Sequence, residues 1–316
     1  MSLNILVTGA AGYISLEQAQ GLAALGADVV QLDLHDKETV VDCLMSRKVN
    51  VVIHCASSTD PRSVLNLIDE LSKQKMRCRK ETFFLHKLKD TSPVFETENL
   101  LADSFAIRKT DVSFIEHAKV QGVVGFTIVP SCVYGKGSGK WNQLSVVLPA
   151  YVKPSIAQGA VYRFKEDTRV SGVHVSDMSA LYRQIVQKVS QNEPIPSGDE
   201  GYYLALAHNL EWSKVSHQLA EALFTRGLIK NLKVKIWPNE ESAAKALAVP
   251  TKFVQPLWNA GHFTIVNRAN LHRASQCSTS TDDELTSNSI EIFANNLKKN
   301  PKTDQSSKYY SIIVHL

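Results

Sequence analysis

The chain reads as an α/β protein, a doubly wound and mostly parallel sheet with a smaller C-terminal region over it. Two observations predict this. Apolar stretches at Asn4–Val7, Ala27–Leu32 and Val49–Ala56 have the length and Val/Ile content of parallel strands covered on both faces. Helix-compatible segments alternate with them, the order that produces a parallel sheet. A third observation bears on function. The first strand runs directly into Thr8-Gly9-Ala10-Ala11-Gly12-Tyr13-Ile14-Ser15, a glycine turn that opens a helix.

A strand, a tight turn and a helix N-terminus make a place for an anion. Gly9 would let the chain leave the strand, and Gly12 would let backbone approach a pyrophosphate with no Cβ in the way. Ser15 stands where a third glycine would allow close helix–sheet packing. The position of the turn, just after an apolar strand near residue 1, points to a dinucleotide site. An ordinary strand–turn–helix corner is the competing reading.

The bulk properties exclude several classes. At 316 residues, 44% hydrophobic and 21% charged, the chain has a globular composition and can bury a large core. A net charge of +4 is too small to argue for nucleic acid. No stretch approaches the roughly 18 consecutive apolar residues of a membrane span. The N-terminal residues read as a strand and not as a signal segment. The five cysteines are scattered without C-x-x-C spacing, which suggests neither disulfides nor zinc. A cytoplasmic protein with reduced thiols is the expectation.

Along the chain, Leu16–Leu25 reads as a helix closed by Gly26, and Lys37–Ser46 as a second. Pro61 opens a third, to about Gln74. The basic run Lys73–Lys80 reads as a solvated helix end. Strands are expected at Glu81–His86 and Val123–Pro130, with one long helix, Glu98–Lys119, between them. Beyond Gly135 the pattern is mixed. Leu144–Ile156 is apolar and interrupted by Pro149 and Pro154. A strand at Val170–Val175 leads into a helix at Asp177–Val189, with Asp177 a candidate N-cap. A strand at Tyr202–Ala207 and a helix at Trp212–Arg226 follow, then an amphipathic helix at Asp282–Lys299. Tyr309–Leu316 is apolar, with no role assigned by its pattern. The division expected is a dinucleotide-binding part, 1–135, and a substrate-covering part, 136–316, that partly contributes to the sheet.

Five segments in order carry a resemblance: Thr8–Ile14, Asp33-Leu34-His35-Asp36, Val51–Ala56, Val133-Tyr134-Gly135 and His174-Val175-Ser176-Asp177. They resemble the extended short-chain dehydrogenase/reductases, the NAD-dependent epimerase/dehydratase type with a Rossmann fold, and within it a fungal reductase-like branch. The resemblance spans about residues 3–230. It implies NAD or NADP as cofactor, bordered by Gly9, Ala11, Gly12, Tyr13, Ile14, Asp33, Leu34, Ala56, Ser57, Lys109 and Pro130. Asp33 would accept from the adenine amino group. Tyr134–Gly135 and His174–Asp177 would shape a cleft for a small carbonyl or alcohol substrate. A homodimer paired through Glu98–Lys119 is also implied.

The chain departs from that pattern in three places. The family has a further strand between the glycine turn and the Asp-Leu-x-Asp strand, whereas here one helix separates them. Either Ala27–Leu32 is the second strand, with Asp33, 24 residues after Gly9, near the spacing of an NAD-type ribose acid, or it is the third strand and a helix–strand unit is missing. The second reading fits the downstream motifs better and leaves cofactor preference unreadable. Next, the family's acid–base pair is a tyrosine with a lysine four residues on. Here Phe105 and Lys109 hold those places, which removes a proton donor whose catalysis is worth roughly 10²–10⁴-fold. Finally, the hydroxyl pair that would hold a substrate carbonyl is reduced to Thr91-Ser92 in a shortened segment. Lys109, Ser92 and Tyr134 are left as the candidate catalytic groups. Three readings stay open: an oxidoreductase with impaired acid–base chemistry, a non-catalytic dinucleotide sensor, and an inactive truncated relative.

Overall fold

The computed structural model describes residues 3–9, 27–56, 59–78, 83–86, 94–104, 106–137, 143–145, 147–167, 169–205, 207–251, 254 and 310–315. Its main sheet has seven strands. Taken along the chain they are β1 (Asn4–Thr8), β2 (Ala27–Gln31), β3 (Val51–His54), β4 (Phe83–His86), β5 (Val124–Pro130), β9 (Tyr202–Ala205) and β12 (Tyr310–His315). Their order across the sheet is β2-β12-β1-β3-β4-β5-β9. The pairs from β1 through β3, β4 and β5 to β9 are all parallel. Only β12 runs the other way, antiparallel to both its neighbours.

Side chains alternate across this sheet as period-2 geometry requires. Ile5, Val7, Val51 and Ile53 face one core, and Leu6 and Val52 face the other. The first core is closed by helix Val175–Ser190, whose Met178, Tyr182, Ile185 and Val189 recur at helical spacing. The second is closed by helices α1 (Lys37–Ser46), α2 (Pro61–Cys78) and α4 (Ala106–Gln121), which supply Leu44, Leu67, Ile68, Leu71, Phe114 and Ile115. Apolar cover on both faces is the reason the strands lack a polar side.

The expected elements appear with small shifts and three corrections. The long helix Glu98–Lys119 is broken into α3 (Val94–Leu100), a 3₁₀ turn at Ala102–Ser104, and α4. The apolar stretch containing Pro149 and Pro154 forms helix α5 (Val147–Gln158) in spite of them. Pro149 lies in the first turn, where no intrahelical N–H is needed, and Pro154 is carried inside the helix. Helix α6 (Val175–Ser190) is capped by His174, whose ring nitrogen accepts from the Ser176 N–H, and not by Asp177, which is buried in the first turn. The helices at Leu16–Leu25 and Asp282–Lys299 lie outside the described residues.

Around the strand expected at Val170–Val175, the structure adds strands that the pattern did not predict, at Cys132–Tyr134, Ala160–Arg163, His208–Glu211 and Asn231–Ile236. β6 (Cys132–Tyr134), β8 (Arg169–His174) and β10 (His208–Glu211) form a second sheet in the order β10-β8-β6. β7 (Ala160–Arg163) and β11 (Asn231–Ile236) pair in parallel. A third core joins them to α5, α7 (Trp212–Thr225) and α8 (Glu240–Leu247) through Tyr151, Trp212, Leu219, Leu223, Trp237 and Ala243. No helix among the described residues is long and apolar enough to cross a membrane.

One close approach tests the packing of the main sheet. A Cβ on Gly125 of β5 would lie 2.8 Å from the fully buried Phe114 ring of α4. Gly125→Ala is expected to destabilise the fold by about 1–3 kcal/mol through overpacking. A lowered urea midpoint at unchanged slope would show this, and an unmoved midpoint would contradict it.

Candidate functional site

The carboxyl ends of β1, β3 and β5 open on one edge of the sheet, where ligands bind in doubly wound folds. Hydrogen bonds between side chains and neighbouring strands fix this edge. Thr8 Oγ1 lies 2.8 Å from His54 Nδ1, both groups buried, and ties β1 to β3 one residue before Gly9 and Cys55. Ser131 Oγ donates to the Ala205 carbonyl at 2.9 Å and ties the end of β5 to β9. Pro130, at the last position of β5, is half-buried beside it.

Gly9 begins the turn with φ of +72°. A Cβ there would sit 2.7 Å from the Cys55 carbonyl oxygen and 2.8 Å from the Ala56 Cα. Glycine is required twice over, by backbone conformation and by contact with the segment leaving β3. That contact brings the turn against Ala56, which lines a cavity of about 340 Å³ with Leu34, His35, Thr59, Asp60, Arg62 and Ser63. The glycine turn, the Asp33-Leu34 loop and the end of β3 therefore converge on one place.

The floor of the cavity follows from local chemistry. Leu34 is buried in the core beneath it. Asp33 accepts from the His35 N–H at 3.0 Å, a turn closed by its own side chain. Asp36 caps α1, accepting from the Glu38 and Thr39 N–H groups. Asp60 stands before Pro61, the residue best suited to the first helical position, and accepts from the Arg62 N–H at 3.2 Å and the Ser63 hydroxyl at 2.9 Å. His35 bridges the two loops, with Nδ1 3.2 Å from Asp33 and Nε2 2.5 Å from Asp60. Arg62 Nε lies 3.6 Å from Asp60 on the other side.

The bridge shifts both titrations. The hydrogen bond to Asp60 is the main cause raising His35 above its ordinary 6.5, against the cost of burial. Burial pushes Asp60 upward, but hydrogen bonds from Ser63, His35 and the Arg62 backbone outweigh it and hold the carboxyl below its ordinary 3.8.

Tyr134, Gly135 and His174 form a second constellation. The Tyr134 ring is fully buried, edge-on to His174 with centroids 5.4 Å apart. Gly135 has φ of +97°, and a Cβ on it would fall 2.1 Å from His174 Nε2. His174 Nδ1 lies 2.7 Å from the Ser176 hydroxyl and accepts from the Ser176 N–H at 3.3 Å. This cap needs Nδ1 unprotonated, which makes His174 an orienting group for α6 and β6. Lys109 stands on α4 with its ammonium 2.9 Å from Asp103, both side chains exposed. Ala11, Gly12, Tyr13, Ile14, Ser57, Ser92 and Phe105 lie outside the described residues.

His35, Asp60, Arg62 and Ser63 did not emerge as candidates from the sequence. His35 sits inside the Asp-Leu-x-Asp segment at its variable position. Asp60-Pro61 is a readable helix start just after an apolar strand, and that signal could have found Asp60.

The likeness to solved structures is one of fold. The fold matches the Bordetella bronchiseptica enzyme WbmH in complex with NAD+ at a TM-score of 0.61 and 14% identity, covering 93% of this chain and 99% of that one. It matches Thermus thermophilus UDP-glucose 4-epimerase in complex with NAD at 0.58 and 14%, covering 92% and 98%. RMD from Pseudomonas aeruginosa complexed with NADPH follows at 0.56 and 15%, covering 92% and 98%. The chain shares the fold of these three proteins. No family model matches the sequence, and no curated protein does.

The His35 bridge gives a pH test. A raised histidine contributes stability in full below 6.5 and loses it as pH rises through the raised value. A depressed carboxylate contributes in full above 3.8 and loses it as pH falls through the lowered value. Wild type is therefore expected to exceed His35→Ala in stability most clearly between those two values. The gap should narrow toward alkaline pH, as read by thermal denaturation from pH 5 to about 9. A gap constant across that range would contradict the bridge.

Proposed function

We propose that the chain is an NAD(P)-binding protein of the oxidoreductase and epimerase class, acting on a small carbonyl or alcohol with weakened acid–base chemistry. One observation carries the reading. Gly9 turns off β1 with no room for a Cβ against Cys55–Ala56, beside a cavity whose other wall is Leu34-His35. The residues present suit a dinucleotide. The glycine turn would receive the pyrophosphate, and Leu34, Ala56 and the polar groups of the Asp33–Asp60 loops would border the adenosine end. Ala11, Gly12, Tyr13, Ile14, Ser57 and Pro130 belong to the same proposed site. Bound there, the cofactor would supply the hydride chemistry, and the protein would orient it and provide a proton route.

That proton route is the weak part. Phe105 offers no proton, so Lys109, Ser92 and Tyr134 are the groups proposed to share its work. Lys109 would steady the nicotinamide ribose on exchanging Asp103 for the cofactor, a surface pair that costs little to break. Tyr134 is sealed from solvent, which favours a part in shaping the cleft. Residues 136–316 would cover the substrate. The burial of Tyr134 and the pairing of Lys109 favour a second reading, a dinucleotide sensor without turnover.

Titration calorimetry with the four nicotinamide dinucleotides separates these readings. Binding is expected for wild type, with a loss of about tenfold or more in Gly9→Val, equivalent to about 1.4 kcal/mol. Absence of binding in wild type would overturn both readings. Turnover of aldehydes or ketones is expected to be slow in wild type and to rise in Phe105→Tyr, by up to the roughly 10²–10⁴-fold of general acid–base catalysis. Binding with no turnover in either protein would leave the sensor.

A further inference from the structure

In a doubly wound dinucleotide fold the strand order is 3-2-1-4-5-6, and the second strand, beside the first, ends at the adenosine ribose. Its terminal acid accepts from the ribose 2′-hydroxyl, and a cation there accommodates a 2′-phosphate. In this chain Ala27–Gln31 stands two places from β1, where a third strand belongs. The place beside β1 is filled by β12, from the far end of the chain. Its register is complete on both sides. Thr8 pairs with Ser311 and Asn4 with His315 on β1, while Gln31 pairs with Tyr310 and Ala27 with Val314 on β2.

Direction matters as much as place. A parallel second strand would present its last residues at the ligand edge. β12 is antiparallel, so it presents its first ones, Tyr310 and Ser311, beside Thr8 and Gln31. Thr8 immediately precedes the Gly9 turn, and Gln31 lies two residues before Asp33. The backbone of Tyr310 thus stands between the pyrophosphate turn and the Asp33-Leu34 loop. His315 is at the opposite edge, level with Asn4.

We propose that the C-terminal strand is part of the cofactor site, and that Tyr310–Ser311 border the 2′ position of the adenosine ribose and set the preference between NAD and NADP. This rests on the dinucleotide reading above. Neither residue is charged at neutral pH, so this pair supplies neither the acid that selects NAD nor the cation that selects NADP. Wild type is accordingly expected to bind NAD+ and NADP+ with affinities within about tenfold of each other.

Substitution at the ligand edge tests the proposal in the full-length chain. Tyr310→Glu should shift the ratio of dissociation constants toward NAD+ and Tyr310→Arg toward NADP+, each by about fivefold or more, in opposite directions. Equal ratios in both variants, with wild-type melting temperatures, overturn the proposal while leaving dinucleotide binding intact. Wild type that binds neither dinucleotide overturns the functional reading and this proposal together. Amide resonances of unmodified protein supply a measurement that does not depend on the variants folding. NADP+ and NAD+ should move the Tyr310 and Ser311 amides differently and leave Val314 and His315 in place. Binding that perturbs Gly9 but neither Tyr310 nor Ser311 overturns the proposal.

Discussion

Two strands held a strand's width apart face each other with rows of unpaired backbone N–H and C=O groups. Each such group, buried without a partner, costs about 1–3 kcal/mol. β1 and β2 are in that position, and β12 satisfies both, with five residue pairs on each side. The N-terminal half of the sheet therefore depends on the last residues of the chain. A segment from anywhere could meet this requirement, because the ladder is read by backbone and asks of side chains only that they suit two buried faces. Tyr310–His315 is six residues of Tyr, Ile, Val, Ser and His, a composition that suits a sheet interior.

This pairing also orders the site. Gly9 can press against Cys55–Ala56 only if β1 and β3 keep their register, which the Thr8–His54 hydrogen bond locks at their ends. The Asp33–His35 loop reaches Asp60 only if β2 is held at its distance from β1, and β12 sets that distance. The cavity is thus a product of strand spacing. His35, between two carboxylates, closes it with a bridge whose strength depends on pH.

The parallel half of the fold was legible because its signals are local. The helix expected at Lys37–Ser46 is found at those residues, and Asp36 caps its start. β3 and β5 were visible as apolar runs covered on both faces. The strands that escaped are short or exposed. β6 has three residues, and β11 is mostly solvent-facing, so neither shows the alternation of a half-buried strand. β12 was apolar enough to notice, yet its partners lie some 280 residues or more away and pairing partners are not encoded in a strand's own pattern. The short interval between Gly9 and Ala27 was readable as an irregularity, but the strand that pairs between β1 and β2 was not. At the cavity, Gly9, Leu34 and Ala56 were candidates from their motifs, whereas His35 and Asp60 meet only through the packing of α1 on α2.

Binding and proton transfer make different demands on a sequence, and this chain separates them. A pyrophosphate turn needs a left-handed glycine and close backbone contact, and both are present in Gly9. Proton transfer needs a titratable side chain at hydrogen-bond reach of the reacting atom, set by rotamer and pKa together. Where the resemblance implies the family's tyrosine, the sequence has Phe105. The phenol of Tyr134 is packed against His174, where Gly135 leaves room for the imidazole. Backbone geometry tolerates sequence drift, because many side chains support one turn. A general acid tolerates none. On the function proposed above, a chain that keeps the first requirement and loses the second would still hold a ligand, in a place kept by a sheet that its own C-terminal strand completes.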